Sequence, residues 1–253
     1  MKKKQKKLKA DELPGSRVKF SFRRHLLPPF IGLVMAFAVF GLMNSQIIVA
    51  KISEKTYQTP APTATVPESA PVDSAPKIII NSIGVKAPVI YDQRTVDEGA
   101  FQYALRSGVV HYPNTALPGK PGNVVIFGHS SGQVWAPGDY KFIFTHLEKL
   151  KDDDRIYIEY EGVRYIYSIT GSKVVPPTQM SVLNPTADNT LTLITCTPVG
   201  TSKNRLIVTA KQIVPKPEIV AEEPVTNVQP TETSLPNSQS PSLWQSIQTW
   251  LEQ

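Results

Sequence analysis

The chain has 253 residues, a formal net charge of +6, 23 prolines and a single cysteine. Residues 1–25 hold ten of the 27 basic and two of the 21 acidic residues, so their net charge is +8 and that of the remainder is −2. The basicity therefore belongs to the N-terminus and does not indicate a nucleic-acid-binding domain in the rest of the chain. One cysteine excludes an intramolecular disulfide.

A long apolar segment follows the basic N-terminus. No charged residue occurs from Leu26 to Ala50, and about 20 apolar residues suffice for a helix that crosses a bilayer. The positive flank predicts a single-pass anchor over residues 26–50, with residues 1–25 in the cytoplasm and the chain after Lys51 outside. The alternative is a cleaved signal peptide, but the segment is longer than the apolar region of such peptides and no clear cleavage site follows it.

Two Pro-rich stretches flank the centre of the chain. Residues 51–76 (Pro/Thr-rich) predict an extended stalk and residues 215–241 (Pro/Ser-rich) a linker. Residues 77–214 between them are long enough to bury one core, and we expect them to form the catalytic domain. Residues 242–253 place apolar side chains at helical spacing and predict an amphipathic helix, which docks on the domain, meets a membrane or partner, or frays.

The central domain is predicted to be all-β. Short apolar or alternating runs, separated by turn residues, predict strands at Lys77–Ile80, Pro88–Ile90, Asn123–Phe127, Arg155–Tyr160, Arg164–Val175, Thr190–Thr195 and Arg205–Ile213. Helical patterns are limited to a short helix capped at Thr95 and a turn or two over Ile143–Leu150. Seven or eight strands with one or two short helices indicate a sandwich or a closed barrel. We predict the barrel, since nothing suggests βαβ alternation.

The single cysteine, Cys196, ends an alternating β-branched run, and Arg205 opens the next apolar run. On a strand, Thr192, Ile194 and Cys196 point to the same side. A lone cysteine is usually a small buried hydrophobic residue. Catalysis by a thiolate would require a base or a cation beside the thiol, together with donors for an oxyanion.

Four histidines could supply the base. His25 belongs to the N-terminal flank, and a structural role is the default for His146, which follows an apolar run. His129 ends a buried-looking strand directly after a glycine, in a position like that of Cys196. Two such side chains at strand ends can converge across a barrel rim. His111 precedes a Tyr-Pro loop and is the weaker candidate, although it could line the same cleft.

Metal binding has little support in the sequence. No pair of histidines has ligand spacing, and one cysteine cannot close a zinc site. Asp152–Asp154 offers oxygen ligands for calcium, but such a run after Lys151 is more typical of a solvated turn. Phosphate-loop and dinucleotide glycine patterns are absent. We expect no metal and no cofactor.

Three segments resemble the sortase family of cysteine transpeptidases. Thr192–Cys196 matches the T-L-x-T-C signature, Arg205 heads the next strand, and Leu117–His129 is similar to the P-G-x-x-G-N-x-V-I-x-G-H run that leads to the family's histidine. The resemblance covers residues 77–214 and implies an eight-stranded sortase β-barrel. It further implies that Cys196 is the nucleophile, His129 the proton-transfer partner and Arg205 the oxyanion or substrate-positioning residue. Thr195 and Thr197 would bind substrate.

The resemblance also implies a reaction. The enzyme would cleave an LPXTG-like sorting signal on surface proteins, form a thioacyl-enzyme, and transfer the protein to an amine such as a peptidoglycan precursor or a pilin lysine. It would work on the outer face of a bacterial membrane, without nucleic acid. The Cys196–Arg205 spacing and the Thr197-Pro198 pair are similar to class D or E sortases. The alternatives are a hydrolysing sortase-like peptidase and a non-catalytic extracellular barrel that binds peptide or wall polymer. A papain-like protease is disfavoured because the histidine precedes the cysteine.

A string in the tail, Ser234–Gln239, reads Ser-Leu-Pro-Asn-Ser-Gln and loosely resembles L-P-x-T-G. Linkers rich in Pro, Ser and Asn produce such strings easily. A pseudo-substrate role for this string is therefore a hypothesis that the sequence raises but does not support further.

Overall fold

The computed structural model describes residues 27–45, 48, 52, 72, 74–132, 136–216 and 234–237. The predicted cytoplasmic flank (1–25), most of the stalk (51–76), most of the linker (215–241) and the C-terminal helix (242–253) lie outside the described residues. The chain divides into two compact units, residues 1–42 and residues 43–253.

The first unit contains one described helix, α1 (Leu27–Met43), which is apolar along its whole length and exposed. Its first turn holds Pro28 and Pro29, and proline is tolerated there because the first N–H groups of a helix have no intrahelical partner. Among the described residues, no helix is both long and apolar enough to cross a bilayer.

The second unit is built on eight strands, which confirms the predicted eight-stranded closed β-barrel. The strands are β1 (Lys77–Ile80), β2 (Val85–Ile90), β3 (Val109–His111), β4 (Gly122–Phe127), β5 (Arg155–Tyr160), β6 (Val163–Val175), β7 (Asn189–Thr197) and β8 (Asn204–Val214). Their order around the barrel is β1-β2-β3-β4-β7-β8-β6-β5, and β5 closes the barrel on β1.

Two of the eight strand pairs are parallel, β2 with β3 and β4 with β7. A parallel pair needs a crossover connection. The β2–β3 connection carries the short helix α2 (Glu98–Ala104), and the chain passes through β5 and β6 between β4 and β7. Because β4 and β7 run in the same direction, their C-terminal ends lie at the same end of the barrel.

Strand alternation separates two apolar clusters. Leu191 and Leu193 of β7 belong to the larger cluster, which fills the barrel with aliphatic side chains from its strands. Ile194 of β7 and Phe127 of β4 belong to a second cluster, which alternation places on the outer face of the wall. The outer cluster is covered by α2 and by the 3₁₀ helix Met180–Leu183 in the β6–β7 connection.

Several element boundaries differ from the sequence prediction. Strand β2 begins at Val85 rather than at Pro88, and β3 was not predicted because three residues are too few to show a pattern. Helix α2 is capped by Asp97, whose carboxylate accepts a hydrogen bond from the Ala100 N–H at 2.9 Å, and not by Thr95. The segment 143–150 contains turns and the 3₁₀ helix Leu147–Lys149.

A buried ionic cluster joins three strands. Glu159 of β5 is 1% exposed and accepts from Lys77 of β1 at 2.9 Å and from Arg164 of β6 at 2.5 Å. Both partners lie directly opposite Glu159 in the strand register. Removal of one member of a buried ion pair leaves an uncompensated charge, which costs far more than the loss of an exposed pair.

We therefore expect Glu159→Gln to lower the free energy of unfolding by about 3 kcal/mol, measured by urea denaturation. Asp188→Asn is the matched control, because Asp188 pairs with Lys211 at 2.8 Å but both side chains are more than half exposed. Its cost should stay below about 1 kcal/mol. Equal costs for the two variants would show that the buried cluster is not a stabilising feature.

His111, the weaker candidate base, faces the barrel interior. Its ring packs on Tyr91 with the ring centroids 5.0 Å apart, and its Nε2–H donates to the Ala116 carbonyl oxygen at 2.8 Å. Burial lowers the pKa of His111, and the hydrogen bond to Ala116 acts against this shift. His111 is therefore a neutral structural residue and does not line the outer face.

A lowered histidine pKa means that the unfolded chain binds more protons than the folded chain at acid pH. Stability should then fall as the pH drops below the unfolded value of about 6.5. We expect the free energy of unfolding of the wild type to decrease more steeply from pH 7.5 to pH 5 than that of His111→Gln. Parallel pH profiles would contradict the assignment, since the other histidines contribute equally to both proteins.

Candidate active site

Cys196 lies near the C-terminal end of β7 on the outer face of the barrel. Alternation puts it on the same side as Ile194 and opposite to Leu193. It pairs directly with Arg205 of β8, as Ile194 pairs with Ile207. Directly opposed residues have Cβ atoms about 5 Å apart, so the thiol and the guanidinium leave the sheet side by side.

His129 follows β4, the neighbour of β7 on its other side. The parallel register ends with Phe127 opposite Ile194. Continuing this register by two residues brings His129 level with Cys196, on the same outer face. The three residues predicted from the sequence therefore stand in a row across three adjacent strands, β4, β7 and β8, rather than facing each other across the barrel.

Gly128 fixes the position of His129. Beyond the strand proper, the Gly128 N–H donates to the Ile194 carbonyl at 3.1 Å, and the Thr195 hydroxyl donates to the Gly128 carbonyl at 2.7 Å. A Cβ at position 128 would lie 2.4 Å from the Phe144 ring. Only glycine allows this approach, which lets the Phe144 N–H donate to the His129 carbonyl at 2.8 Å.

The loops that follow β4 and β7 are tied to each other. The Gly200 N–H donates to the Ser131 hydroxyl at 3.1 Å, which joins the loop after Cys196 to the loop after His129. The Thr145 hydroxyl donates to the Ser130 carbonyl at 2.6 Å. These bonds hold the two loops in fixed relation around the thiol.

The Arg205 guanidinium is bonded only to carbonyl oxygens. Its Nη1 donates to Ser202 at 3.0 Å and Asn204 at 3.2 Å, while Nε donates to Pro236 at 3.1 Å and Nη2 to Leu235 at 3.2 Å. Arg205 is 3% exposed, and none of the ion pairs in the described part of the chain includes it. The loop before β8 thus orients one side of the guanidinium, and the other side binds peptide carbonyls.

The whole row is inaccessible to solvent. Cys196 is 1% exposed and His129 is 2% exposed. The Cys196 thiol donates to Asn237 Oδ1 at 3.4 Å. The described tail segment, residues 234–237, therefore lies directly on the site.

The remaining predicted residues lie outside this row. The Thr195 hydroxyl donates to the Gly128 carbonyl, and strand alternation turns the Thr195 side chain away from Cys196. Thr197 is half-buried and pairs with Asn204. Substrate contacts by these two threonines remain predictions. His146 lies just before the 3₁₀ helix Leu147–Lys149.

Asn123 of β4 was not assigned a role from the sequence, although it lies inside the run leading to His129. Its Nδ2 donates to the carbonyls of Val182 at 3.0 Å and Asn184 at 3.2 Å, and its Oδ1 accepts from the Thr192 hydroxyl at 2.7 Å. This buried amide fastens the β6–β7 connection, which forms one wall of the site, to the barrel.

Glu98 and Gln102 of α2 were also missed. The Gln102 amide donates to Glu98 Oε1 at 2.9 Å, and both side chains contact Asn237. Their spacing of four residues on a helix is a signal that sequence reasoning could have used, because such residues share a face. Helix α2 forms the second wall of the site.

No metal site accompanies these residues in the described part of the chain, where no three His, Cys, Asp or Glu side chains are grouped as ligands. Asp152–Asp154 lies in the turn before β5. The carboxylate of Asp154 accepts from the Lys151 N–H at 2.9 Å, within that turn.

The arrangement suits acyl transfer. A thiolate is a strong nucleophile, and a neighbouring imidazole can take and return its proton. A buried guanidinium that binds carbonyl oxygens offers charge-assisted hydrogen bonds to an oxygen that gains negative charge.

Comparisons with known proteins identify the family of this chain. Residues 78–213 match the family model for the sortase domain. A sortase A of Listeria monocytogenes is 29% identical over 150 residues, covering 59% of this chain and 63% of that protein. Sortase SrtE1 of Streptomyces coelicolor is 28% identical over 151 residues, covering 54% of this chain and 40% of that protein. The chain thus spans less than two thirds of the length of these curated relatives.

Among solved structures, a Clostridium perfringens sortase D5 transpeptidase is 30% identical, with 56% of this chain and 79% of that chain covered and a TM-score of 0.45. The curated relatives are named sortase A and sortase SrtE1, so their names do not assign this chain to one class. The family match covers more than half of the chain. The chain belongs to the sortase family.

Proposed function

We propose that the chain is a cysteine transpeptidase that cleaves an LPXTG-like sorting signal and transfers the acyl part to an amine. The observation that carries this proposal is the row formed by His129, directly after β4, with Cys196 on β7 and Arg205 on β8. Curated relatives named as sortases support it.

The first half of the reaction makes a thioester. His129 takes the proton of the Cys196 thiol, the sulfur attacks the carbonyl carbon of the residue before the scissile bond, and Arg205 stabilises the negative oxygen. The C–N bond then breaks, and His129 gives a proton to the departing amine. The N-terminal part of the substrate remains bound to Cys196 as a thioacyl-enzyme.

The second half resolves the thioester. An acceptor amine attacks the thioester carbonyl and loses its proton to His129, and the Cys196 sulfur leaves. A thioester conserves the acyl energy, so a new amide can form without another energy source. The acceptor in this proposal is an amine on a peptidoglycan precursor or a pilin lysine.

The proposal places the enzyme at the cell membrane. The uncharged segment 26–50 behind a flank of charge +8 supports a single-pass anchor with the N-terminus in the cytoplasm. The catalytic domain would then lie outside a bacterial cell, where surface proteins carry their sorting signals.

Protease treatment of intact cells should digest residues beyond 76 and spare an N-terminal tag if this orientation holds.

The thioacyl-enzyme is the directly testable intermediate. The full chain in detergent, incubated with an LPXTG peptide, should gain the mass of the N-terminal peptide fragment on Cys196. Cys196→Ala should give neither adduct nor product, and His129→Ala should lose turnover while remaining folded by circular dichroism. Absence of adduct and product in the wild type would favour a peptide-binding barrel without catalysis.

Transfer and hydrolysis share this intermediate and differ in its fate. Raising the concentration of an amine such as triglycine should increase the amide product at the expense of the free acid. A constant share of free acid over the whole range of amine would identify a hydrolysing peptidase.

The role of Arg205 depends on its planar fork of donors. We expect Arg205→Lys to lower kcat/KM by about 100-fold or more, because loss of an oxyanion donor costs about that much and lysine cannot reproduce the fork. Arg155→Lys is the matched control, since Arg155 is exposed on β5. Equal rates for both variants would remove Arg205 from the mechanism.

A further inference from the structure

We propose that Leu235, Pro236 and Asn237 occupy the sorting-signal groove of their own chain as a tethered pseudo-substrate. In this proposal, Glu98 and Gln102 position the residue after the proline. The inference rests on the proposed function and deepens it, since it assigns both an occupant and two positioning residues to the same site.

Leu235 fills an apolar pocket. It is 2% exposed and belongs to the outer cluster. The other members of this cluster come from α2, from β3, β4, β7 and β8, and from the β6–β7 connection, and include Phe101, Ala104, Val182, Leu183, Ile194 and Ile207. Burying one leucine side chain corresponds to about a 30-fold change in an equilibrium constant. Burial in this cluster therefore favours an apolar side chain at this position.

Every backbone donor and acceptor of residues 235–237 is bonded to the domain. The Leu235 N–H donates to the Pro177 carbonyl at 2.7 Å, and Arg205 donates to the carbonyls of Leu235 and Pro236. The middle residue has no N–H, because it is proline. A chance contact of a linker would leave some of these groups to water, whereas a built peptide site satisfies them all.

The third residue is held by α2. The Asn237 N–H donates to Glu98 Oε2 at 3.3 Å, and the Gln102 amide donates to the Asn237 carbonyl. Gln102 also donates to Glu98 Oε1 at 2.9 Å, which fixes the pair relative to each other. Glu98 and Gln102 thus bind the backbone N–H and the backbone carbonyl of Asn237, and neither contact depends on the side chain at that position.

The segment blocks the thiol rather than presenting a bond to it. The atom 3.4 Å from the Cys196 sulfur is the side-chain Oδ1 of Asn237. The three backbone carbonyls of residues 235–237 point to Arg205 and Gln102 instead. None of these carbonyls is therefore placed for attack, so the segment acts as an intramolecular competitor of the sorting signal.

The test uses the rate at which iodoacetamide alkylates Cys196 in the full chain in detergent. Cys196 is the only cysteine in the sequence, so the intact mass reports one site and no substrate peptide is needed. Leu235→Asp should raise this rate at least about tenfold, because a buried charge expels the segment from its pocket. Ser234→Asp adds the same charge at an exposed neighbouring position and should leave the rate unchanged. Equal rates for wild type and Leu235→Asp would overturn the proposal.

A peptide added in trans distinguishes release of the segment from a folding defect. The decapeptide of residues 231–240 (Thr-Glu-Thr-Ser-Leu-Pro-Asn-Ser-Gln-Ser) should slow alkylation of the Leu235→Asp protein, because it refills the groove. The same peptide with Asp in place of Leu235 should not protect. Failure of the natural peptide to protect at millimolar concentration would count against the proposal.

Peptide turnover separates this inference from the proposed function. With an LPXTG peptide, Leu235→Asp should lower KM at similar kcat, since a competitor affects only access to the groove. If Leu235→Asp is alkylated faster but no variant turns over the LPXTG peptide, the pseudo-substrate proposal stands and the proposed substrate is wrong. If wild type and Leu235→Asp turn over the peptide with the same KM and are alkylated at the same rate, the proposed function stands and the pseudo-substrate proposal is wrong. Release of the residues after 238, seen by mass, would show that the tail is a substrate and not a competitor.

The roles of Glu98 and Gln102 have their own readout. Glu98→Gln keeps the size of the side chain but removes the charged acceptor for the Asn237 N–H. In the Leu235→Asp background, where the groove is open, it should raise KM for the LPXTG peptide several-fold and leave kcat unchanged. Glu148→Gln, at an exposed position in the 3₁₀ helix Leu147–Lys149, is the control. An unchanged KM would remove Glu98 from the groove.

Discussion

The site depends on the parallel pairing of β4 with β7. This pairing brings two strand ends, which are 67 positions apart in sequence at His129 and Cys196, to the same level on one face. The Thr195 hydroxyl extends the pairing to Gly128, one residue before the imidazole. A slip of one residue would turn the side chains of one strand to the other face, so this register decides whether the imidazole and the thiol meet. The antiparallel partner β8 then adds Arg205 beside the thiol.

The buried guanidinium of Arg205 needs hydrogen-bond acceptors from whatever fills the groove. Arg205 has two loop carbonyls and two tail carbonyls as acceptors. A buried cation without its hydrogen-bond partners is costly, so departure of the tail requires water or another peptide to take over two carbonyl positions. An LPXTG-like chain supplies the same pair of consecutive carbonyls. In the proposed function, the same feature would favour binding of a peptide, and it stabilises the contact of residues 235–237 with the site.

The sequence was sufficient for the barrel, because strand alternation is a local pattern. The run ending at His129 is local too and led to the three candidate residues, whose catalytic roles stay predictions. It could not decide between His111 and His129 by periodicity, since alternation does not tell which face is inside. The structure shows which face His111 takes, because its ring packs on Tyr91. The assignment of His129 as the base stays a prediction. The cap of α2 was misplaced because Thr95 and Asp97 are both good caps, and the choice depends on where the chain leaves β2. The string Ser234–Gln239 alone could not predict a contact with the site, because the pocket that holds Leu235 is built from elements that are distant in sequence.

In the proposed function, reaction and selectivity would be located in different parts of the molecule. The thiol and the guanidinium stand on β7 and β8, and the imidazole follows directly after β4. The walls of the site, α2 and the 3₁₀ helix Met180–Leu183, are connections between strands. Connections tolerate change better than the strands they join. In the proposed function, a change of sorting signal would therefore arise through Glu98, Gln102 and the leucine pocket, while the row of candidate reactive residues stays fixed.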